Sequence, residues 1–140
     1  MCLIIEQKFE TRREAREFSK KPLIAQKNIR VYKILEKDQN IFVSPYRGFT
    51  YTQGKQYSVK FSFDIDINHF SYKWEIAIKK GLHVFTSSIS ATEHPLYSPY
   101  ARNLIIVEMY IPKGALYFKA KNTIVSTELV FKPLPKKTIK

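Results

Sequence analysis

Apolar and polar residues alternate most regularly between Ser58 and Ile67. Apolar side chains occupy every second position from Val59 to Ile67, and polar side chains fall between them. A repeat of two is the side-chain period of a half-buried β-strand. Residues 59–67 are therefore predicted to form a strand that turns one face to the core and carries Asp64 and Asp66 on the other face.

The remaining apolar runs are short and rich in β-branched or aromatic residues, which favours strands. The predicted strands are Cys2–Ile5, Ile29–Leu35, Ile41–Val43, Leu82–Thr86, Leu104–Ile111, Ala115–Lys119 and Ile124–Phe131. The second and third are predicted to pair as a hairpin, and Lys79–Gly81 is predicted as a turn. The run Tyr72–Ile78 fits a strand or a helix equally well.

Two short helices are predicted from their end signals. Thr11 can cap a helix over Arg12–Phe18, and Pro22 ends it by forcing the residue before it into extended geometry. Ser88 or Ser90 can cap a second helix that reaches Glu93. The predicted fold class is α+β: a mainly antiparallel β-sheet with one or two short helices in a single domain.

Length and composition set the domain organisation. A chain of 140 residues with 44% hydrophobic residues can bury one core. Residues 1–132 are predicted to form one globular domain and residues 133–140 a flexible basic tail. Ser44–Tyr57 is predicted as an ordered loop packed by its own rings.

No apolar run approaches the ~20 residues that cross a bilayer. Cys2 is the only cysteine. We expect a cytoplasmic protein of a bacterial cell or an infected host cell, with no membrane partner.

Charge narrows the choice of partners. The chain has 24 Lys and Arg against 12 Asp and Glu, which gives a formal net charge of +12. The basic residues concentrate in the N-terminal third and in the tail. Such a field attracts phosphates, as in a nucleotide or a nucleic acid, and it also suits an acidic host protein. The alternative is that the lysines only keep the surface hydrated and bind no nucleic acid.

Catalytic chemistry finds little support in the sequence. The three histidines are spaced too irregularly for a metal site, and no serine or cysteine lies in a nucleophile motif. We therefore expect no metal and no cofactor, and we favour a binding protein over an enzyme.

Candidate ligand contacts lie in aromatic and basic segments and at strand ends. Arginine forks match phosphate geometry and exposed rings stack on bases, so Arg47 and Arg102 are predicted phosphate contacts. Side chains that would add stacking or polar contacts are Tyr46, Tyr100, His83, Thr86, Ser87 and Ser88.

Several short stretches are similar to a family of small proteins from Bacteroidetes and their phages. They are Met1–Ile5, Val31–Lys33, Ser44–Phe49, Gly81–Phe85 and Ile111–Ala115. The resemblance implies no particular activity. A phage setting would imply host takeover or evasion of host defence.

A second resemblance concerns the order of polar residues along the chain. In ADP-ribosyltransferase-like folds an early strand carries a residue for NAD, a middle strand a Ser/Thr motif and a late strand a glutamate. The corresponding order here is Lys33, then Thr86–Ser88, then Glu128. Lysine replaces the usual arginine, and Ser126 stands where such enzymes often have a second Glu or Gln. This likeness implies an NAD-dependent enzyme, with Glu128 catalytic, as the alternative to a binding protein.

Overall fold

The computed structural model describes residues 3–39, 41–44, 50–93 and 103–131. The helices are α1 (Arg12–Ser19) and α2 (Ser88–Glu93). The strands are β1 (Leu3–Ile4), β2 (Leu23–Ile24), β3 (Ile29–Asp38), β4 (Ile41–Val43), β5 (Thr50–Tyr51), β6 (Gln56–Ser58), β7 (Ser62–Ile67), β8 (Trp74–Lys80), β9 (Leu82–Phe85), β10 (Leu104–Ile111), β11 (Leu116–Lys119), β12 (Thr123–Ser126) and β13 (Glu128–Phe131). The strands pair antiparallel, so the predicted α+β class with a mainly antiparallel sheet and two short helices is confirmed.

The larger sheet curls around one core, since Ala115 and Ile124 on one side of it share a buried cluster with Leu129 and Phe131 on the other, and we call the curled sheet the ring. Its strand order is β2-β11-β12-β9-β3-β10-β13-β6, and the β4–β5 pair attaches to the far half of β3. Thr127 alone separates β12 from β13, so the chain itself joins the two sides of the ring. Buried side chains fill its interior, including Val31, Leu35 and Met109. This apolar interior is the largest of the three cores of the described residues.

A smaller sheet, β1-β8-β7, packs against the outside of the ring. Its apolar face and the buried Ala15 of α1 meet Phe118 and Val125 of the larger sheet in a second core. Thr11 caps α1, because its hydroxyl accepts a hydrogen bond from the Glu14 amide at 3.1 Å. Packing of Ala15 holds the helix against the smaller sheet, and its basic residues are exposed.

Some predicted elements have different limits in the structure. The strand predicted over residues 59–67 begins only at Ser62, and β6 lies in the segment predicted as a loop. The strand predicted over Ile124–Phe131 breaks at Thr127, whose N–H donates to the Leu116 carbonyl and whose carbonyl accepts from Val59. The ambiguous run Tyr72–Ile78 is a strand from Trp74 onward, and this strand continues through Lys79 and Lys80 of the predicted turn.

The segment Ser44–Tyr57 is ordered where the structure describes it. It contains β5 and β6, and the rings of Tyr51 and Tyr57 meet edge to face with centroids 4.9 Å apart. The predicted packing of its rings on one another is confirmed for this pair. The predicted tail over 133–140 lies outside the described residues.

Candidate nucleic-acid interface

Lys33 lies on the inner face of the ring. Its neighbours Val31 and Leu35 belong to the ring interior, and alternation along β3 places Lys33 on the same face. Its Nζ donates to the His83 carbonyl at 2.7 Å and lies 5.4 Å from the centre of the Tyr51 ring. Burial lowers the pKa of Lys33 to about 8. This ammonium is engaged with the protein itself.

The reason for that contact is a fork between two strands. β3 and β9 pair only at Tyr32 and Phe85, after which β4 takes the place beside β3. The Thr86 amide bonds to Asn122, which fixes the alternation between β9 and β12 and turns the His83 carbonyl toward the fork. Because β3 and β9 have separated there, no backbone amide of β3 reaches the His83 carbonyl, and the Lys33 ammonium donates the hydrogen bond instead. Its position is explained by strand geometry without a ligand.

His83 points away from Lys33, into the contact between the two sheets. It lies between Leu82 and Val84 of the ring interior, and its partner across the strands is Val125 of the second core. Its Nδ1 is 3.1 Å from the Gly81 carbonyl, while its Nε2 is buried without a partner in the described structure. Burial, reinforced by the positive charge of Lys33, lowers the pKa of His83 to about 4. His83 is therefore neutral at pH 7.

Thr86, Ser87 and Ser88 form the junction between β9 and α2. The Thr86 hydroxyl donates to the Asn122 carbonyl at 3.3 Å. The Ser87 hydroxyl accepts from the Ser90 amide at 3.1 Å and lies 2.8 Å from the Ser90 hydroxyl. Ser88 is the first residue of α2. The hydroxyls of Thr86 and Ser87 thus hold the junction together.

Glu128 lies elsewhere, on the outer face of the ring. Leu129 and Phe131 belong to the interior, so alternation turns Glu128 outward. Its carboxylate accepts a hydrogen bond from the side-chain amide of Gln56 at 2.8 Å. Glu128 also lines a groove of about 600 Å³, together with residues that include Lys60 and Phe61. The structure brings Lys33 and His83 into contact and does not bring Glu128 to them. The predicted contacts Tyr46, Arg47, Tyr100 and Arg102 lie outside the described residues.

A basic patch follows α1 instead. We give this name to Arg12, Arg13, Arg16, Lys20 and Lys21, all of which are exposed. Arg12, Arg16 and Lys20 follow one another at a spacing of four residues, so they line one stripe of the helix. Glu14 and Glu17 are the two carboxylates of the same helix.

Ion pairing distinguishes the basic patch from several other cations. Lys8, Arg30, Lys73 and Lys79 each contact a carboxylate, at distances from 2.6 to 3.1 Å. No residue of the basic patch pairs with a carboxylate of the described chain. The sequence already indicated this cluster by its charge, although none of its five residues was singled out as a ligand contact.

Sequence reasoning also missed two exposed rings on the smaller sheet. Phe70 is 98% exposed and Tyr72 is 78% exposed, both on the turn between β7 and β8. Their only signal in the sequence is the placing of two aromatic residues in a short polar stretch, which could equally have anchored the turn to the core.

No protein-family model, curated protein or solved structure matches the chain. The resemblances to the Bacteroidetes and phage family and to ADP-ribosyltransferase-like folds remain predictions. Within the described ranges, no three His, Cys, Asp or Glu side chains are grouped to hold a metal ion. Neither described helix is long and apolar enough to cross a membrane.

Proposed function

We propose that this protein is a non-catalytic binding protein that captures a phosphate-bearing ligand, and that this ligand is a nucleic acid bound along the basic patch. The observation that carries the proposal is the clustering of five exposed cations between Arg12 and Lys21, none of which pairs with a carboxylate of the described residues. A phosphate backbone neutralises such a row, and the release of its counterions drives binding.

The spacing of the cations supports a backbone over a single phosphate. A stripe from Arg12 to Lys20 covers about two turns of helix, or roughly 12 Å. A single phosphate cannot contact both ends, whereas successive phosphates of a strand can. A small nucleotide remains the second form of phosphate-bearing ligand, and its binding would depend only weakly on salt.

The test measures fluorescence anisotropy of a labelled oligonucleotide over a series of salt concentrations. We expect affinity to fall steeply with salt, and removal of two cations in Arg12→Gln/Arg16→Gln should reduce the slope of log K against log salt by about 1.4 for a single strand. The matched control is Lys55→Gln/Lys113→Gln, which removes the same charge outside the basic patch and should keep more of the slope.

Equal losses in the two double variants would assign binding to net charge alone and would reject the basic patch as the site. Absence of oligonucleotide binding at low salt would reject the nucleic-acid proposal. Capture of an acidic protein that survives nuclease treatment would then favour the protein-partner alternative. Nicotinamide release from NAD that is lost in Glu128→Ala would establish the enzyme alternative.

We also propose that residues 1–132 fold as a single domain that acts in the cytoplasm of a bacterial cell or an infected host cell. The second core supports the single domain, because it joins the smaller sheet to Phe118 and Val125 of the ring. A phage origin and a role against host defence are proposed from the sequence resemblance alone.

A further inference from the structure

The turn between β7 and β8 displays aromatic rings that the protein does not bury. Phe70 is almost fully exposed, and Tyr72 is mostly exposed. Burying a phenylalanine side chain is favourable by about 1.5 to 3 kcal/mol, so an exposed ring forgoes stabilisation that a core position would supply. The turn alternates these rings with His69 and Ser71.

Asn68 holds this turn in a defined conformation. Its Oδ1 accepts hydrogen bonds from the amides of Phe70 at 2.9 Å and Ser71 at 3.1 Å. The backbone carbonyl of Asn68 accepts a hydrogen bond from the Tyr72 backbone N–H at 2.8 Å, and the Asn68 backbone N–H donates to the Lys73 carbonyl at 2.7 Å. Tyr72 has φ 56°, a left-handed conformation that non-glycine residues seldom adopt. The rings are therefore presented by a turn that its own hydrogen bonds fix.

One ion pair and two backbone hydrogen bonds join this turn and the start of β8 to the segment just before the basic patch. Lys73 pairs with Glu10 at 3.1 Å, and the backbones of Phe9 and Trp74 exchange two hydrogen bonds. Arg12 follows Glu10 by two residues. The turn that carries the exposed rings is therefore joined, at one end of the smaller sheet, to the residues that lead into the basic patch.

We propose that Phe70 and Tyr72 stack on unpaired bases of a single-stranded nucleic acid whose phosphates contact the basic patch. Every base has a face that can stack on an aromatic ring, and such stacking is independent of sequence. In a duplex the bases are stacked on one another and their faces are closed to a protein ring. The inference rests on the proposed nucleic-acid function and adds a preference for single strands.

A lipid surface would also attract rings and cations, but the turn suits bases better. His69 and Ser71 alternate with the rings, and Asn68 and Lys73 close the turn, so insertion into a bilayer would carry polar groups with each ring. A stacked base contacts only the face of each ring and leaves these neighbours in water.

The experiment compares a labelled 12-mer of thymidine with a hairpin duplex of similar charge, for the wild type, Phe70→Ala and Tyr72→Ala. We expect each variant to bind the single strand about tenfold more weakly. Duplex affinity and the salt slope should not change, and Phe70→Trp should retain binding. The matched control is Ile89→Ala, which removes another exposed apolar side chain and should have no effect.

The outcomes separate the two proposals. If the wild type binds and Phe70→Ala weakens single strand and duplex equally, or neither, the stacking inference is wrong while the basic patch stands. If the wild type binds no oligonucleotide, the proposed function fails as well. Binding only to phosphatidylserine vesicles, lost in Phe70→Ala, would replace the stacking inference by a lipid contact.

Discussion

Lys33 keeps an amine inside the ring because β9 departs from β3 at that point. The lysine provides a hydrogen-bond donor to the His83 carbonyl. Its position on an apolar face could be predicted from the alternation of Val31, Lys33 and Leu35 in the sequence. The fork that it closes could not, because the fork depends on where β4 replaces β9, which is set by contacts far apart in the chain.

Replacement of Lys33 by methionine tests the effect of burying this amine. The pKa is 10.5 in its ordinary state and about 8 in the fold, so as pH falls from 10.5 the unfolded chain takes up the proton first. Wild-type stability therefore falls between about pH 10.5 and pH 8 and is constant, for this group, below that range. The two pKa values correspond to about 3 kcal/mol.

The Lys33→Met variant has no amine to titrate at this position, so its stability should not fall in that pH range for this reason. Urea unfolding at several pH values should find the stability of the variant, relative to the wild type, greater at pH 7 than at pH 10. Unfolding curves whose difference is independent of pH would show that the amine titrates as it does in water.

Gly81 is required by close packing between the sheets. A Cβ added there would collide with Cγ2 of Val125 and would lie 3.2 Å from the Phe61 ring. We expect Gly81→Ala to lower the free energy of unfolding by about 2 kcal/mol, because neither neighbour can move without disturbing the second core.

Chemical denaturation compares this variant with Gly54→Ala as the matched control. Gly54 has φ 84° and nothing within 4 Å of an added Cβ, so that change should cost only the backbone strain of about 1 kcal/mol. A smaller loss for Gly81→Ala than for Gly54→Ala would contradict the packing argument.

At the scale of elements, local signals located the helices and the long strands. Thr11 marked the start of α1, and β10 has the predicted limits Leu104–Ile111. The strands that sequence reasoning missed, such as β2 and β6, have two or three residues. So short a run has no readable period, and its conformation comes from the neighbouring strand.

Asn68 fixes the conformation of the whole turn between β7 and β8 by its hydrogen bonds. Asn68→Ala removes the acceptor for two backbone amides and the donor to Glu75, a bond of 3.2 Å. We expect a loss of about 1 to 2 kcal/mol at pH 7, measured by thermal or urea unfolding. Ser71→Ala is the control, since it removes only one long hydrogen bond of 3.4 Å.

The loss should shrink in acid. Hydrogen bonds from Lys8 and then from Asn68 hold the pKa of Glu75 below its ordinary value of 4.5. The stability that these bonds add is present above that value and is lost as pH falls through the lowered pKa. A difference between wild type and Asn68→Ala that stays constant from pH 7 down to the lowest pH at which both proteins fold would contradict the role of Glu75.

At the scale of the whole molecule, the positive charge determines how the protein responds to salt. The formal charge of +12 makes the folded protein repel itself. This net charge follows from the amino-acid composition and needs no structure. The sequence did not predict that Lys8, Lys73 and Lys79 pair with carboxylates while the basic patch pairs with none among the described residues, because pairing depends on which strands become neighbours.

We expect the melting temperature to rise with sodium chloride in the absence of ligand. Going from about 20 mM to about 300 mM shortens the screening length from roughly 20 Å to roughly 6 Å, which weakens the repulsion between surface cations. Calorimetry should show a smaller rise for Arg12→Gln/Arg16→Gln than for the wild type. A melting temperature that is unchanged or lower in salt would show that self-repulsion does not limit stability.

Thr127 has a consequence for how the protein is made on the ribosome. Strands β3, β9, β10 and β12 can pair as they emerge, but the core of the ring is covered only when residues 128–131 follow and pair with β10. Until then a nascent chain carries an open sheet with its apolar face in water. A nascent chain that has emerged only as far as Thr127 would be a substrate for chaperones, and the emergence of β13 would supply the strand that covers its apolar face.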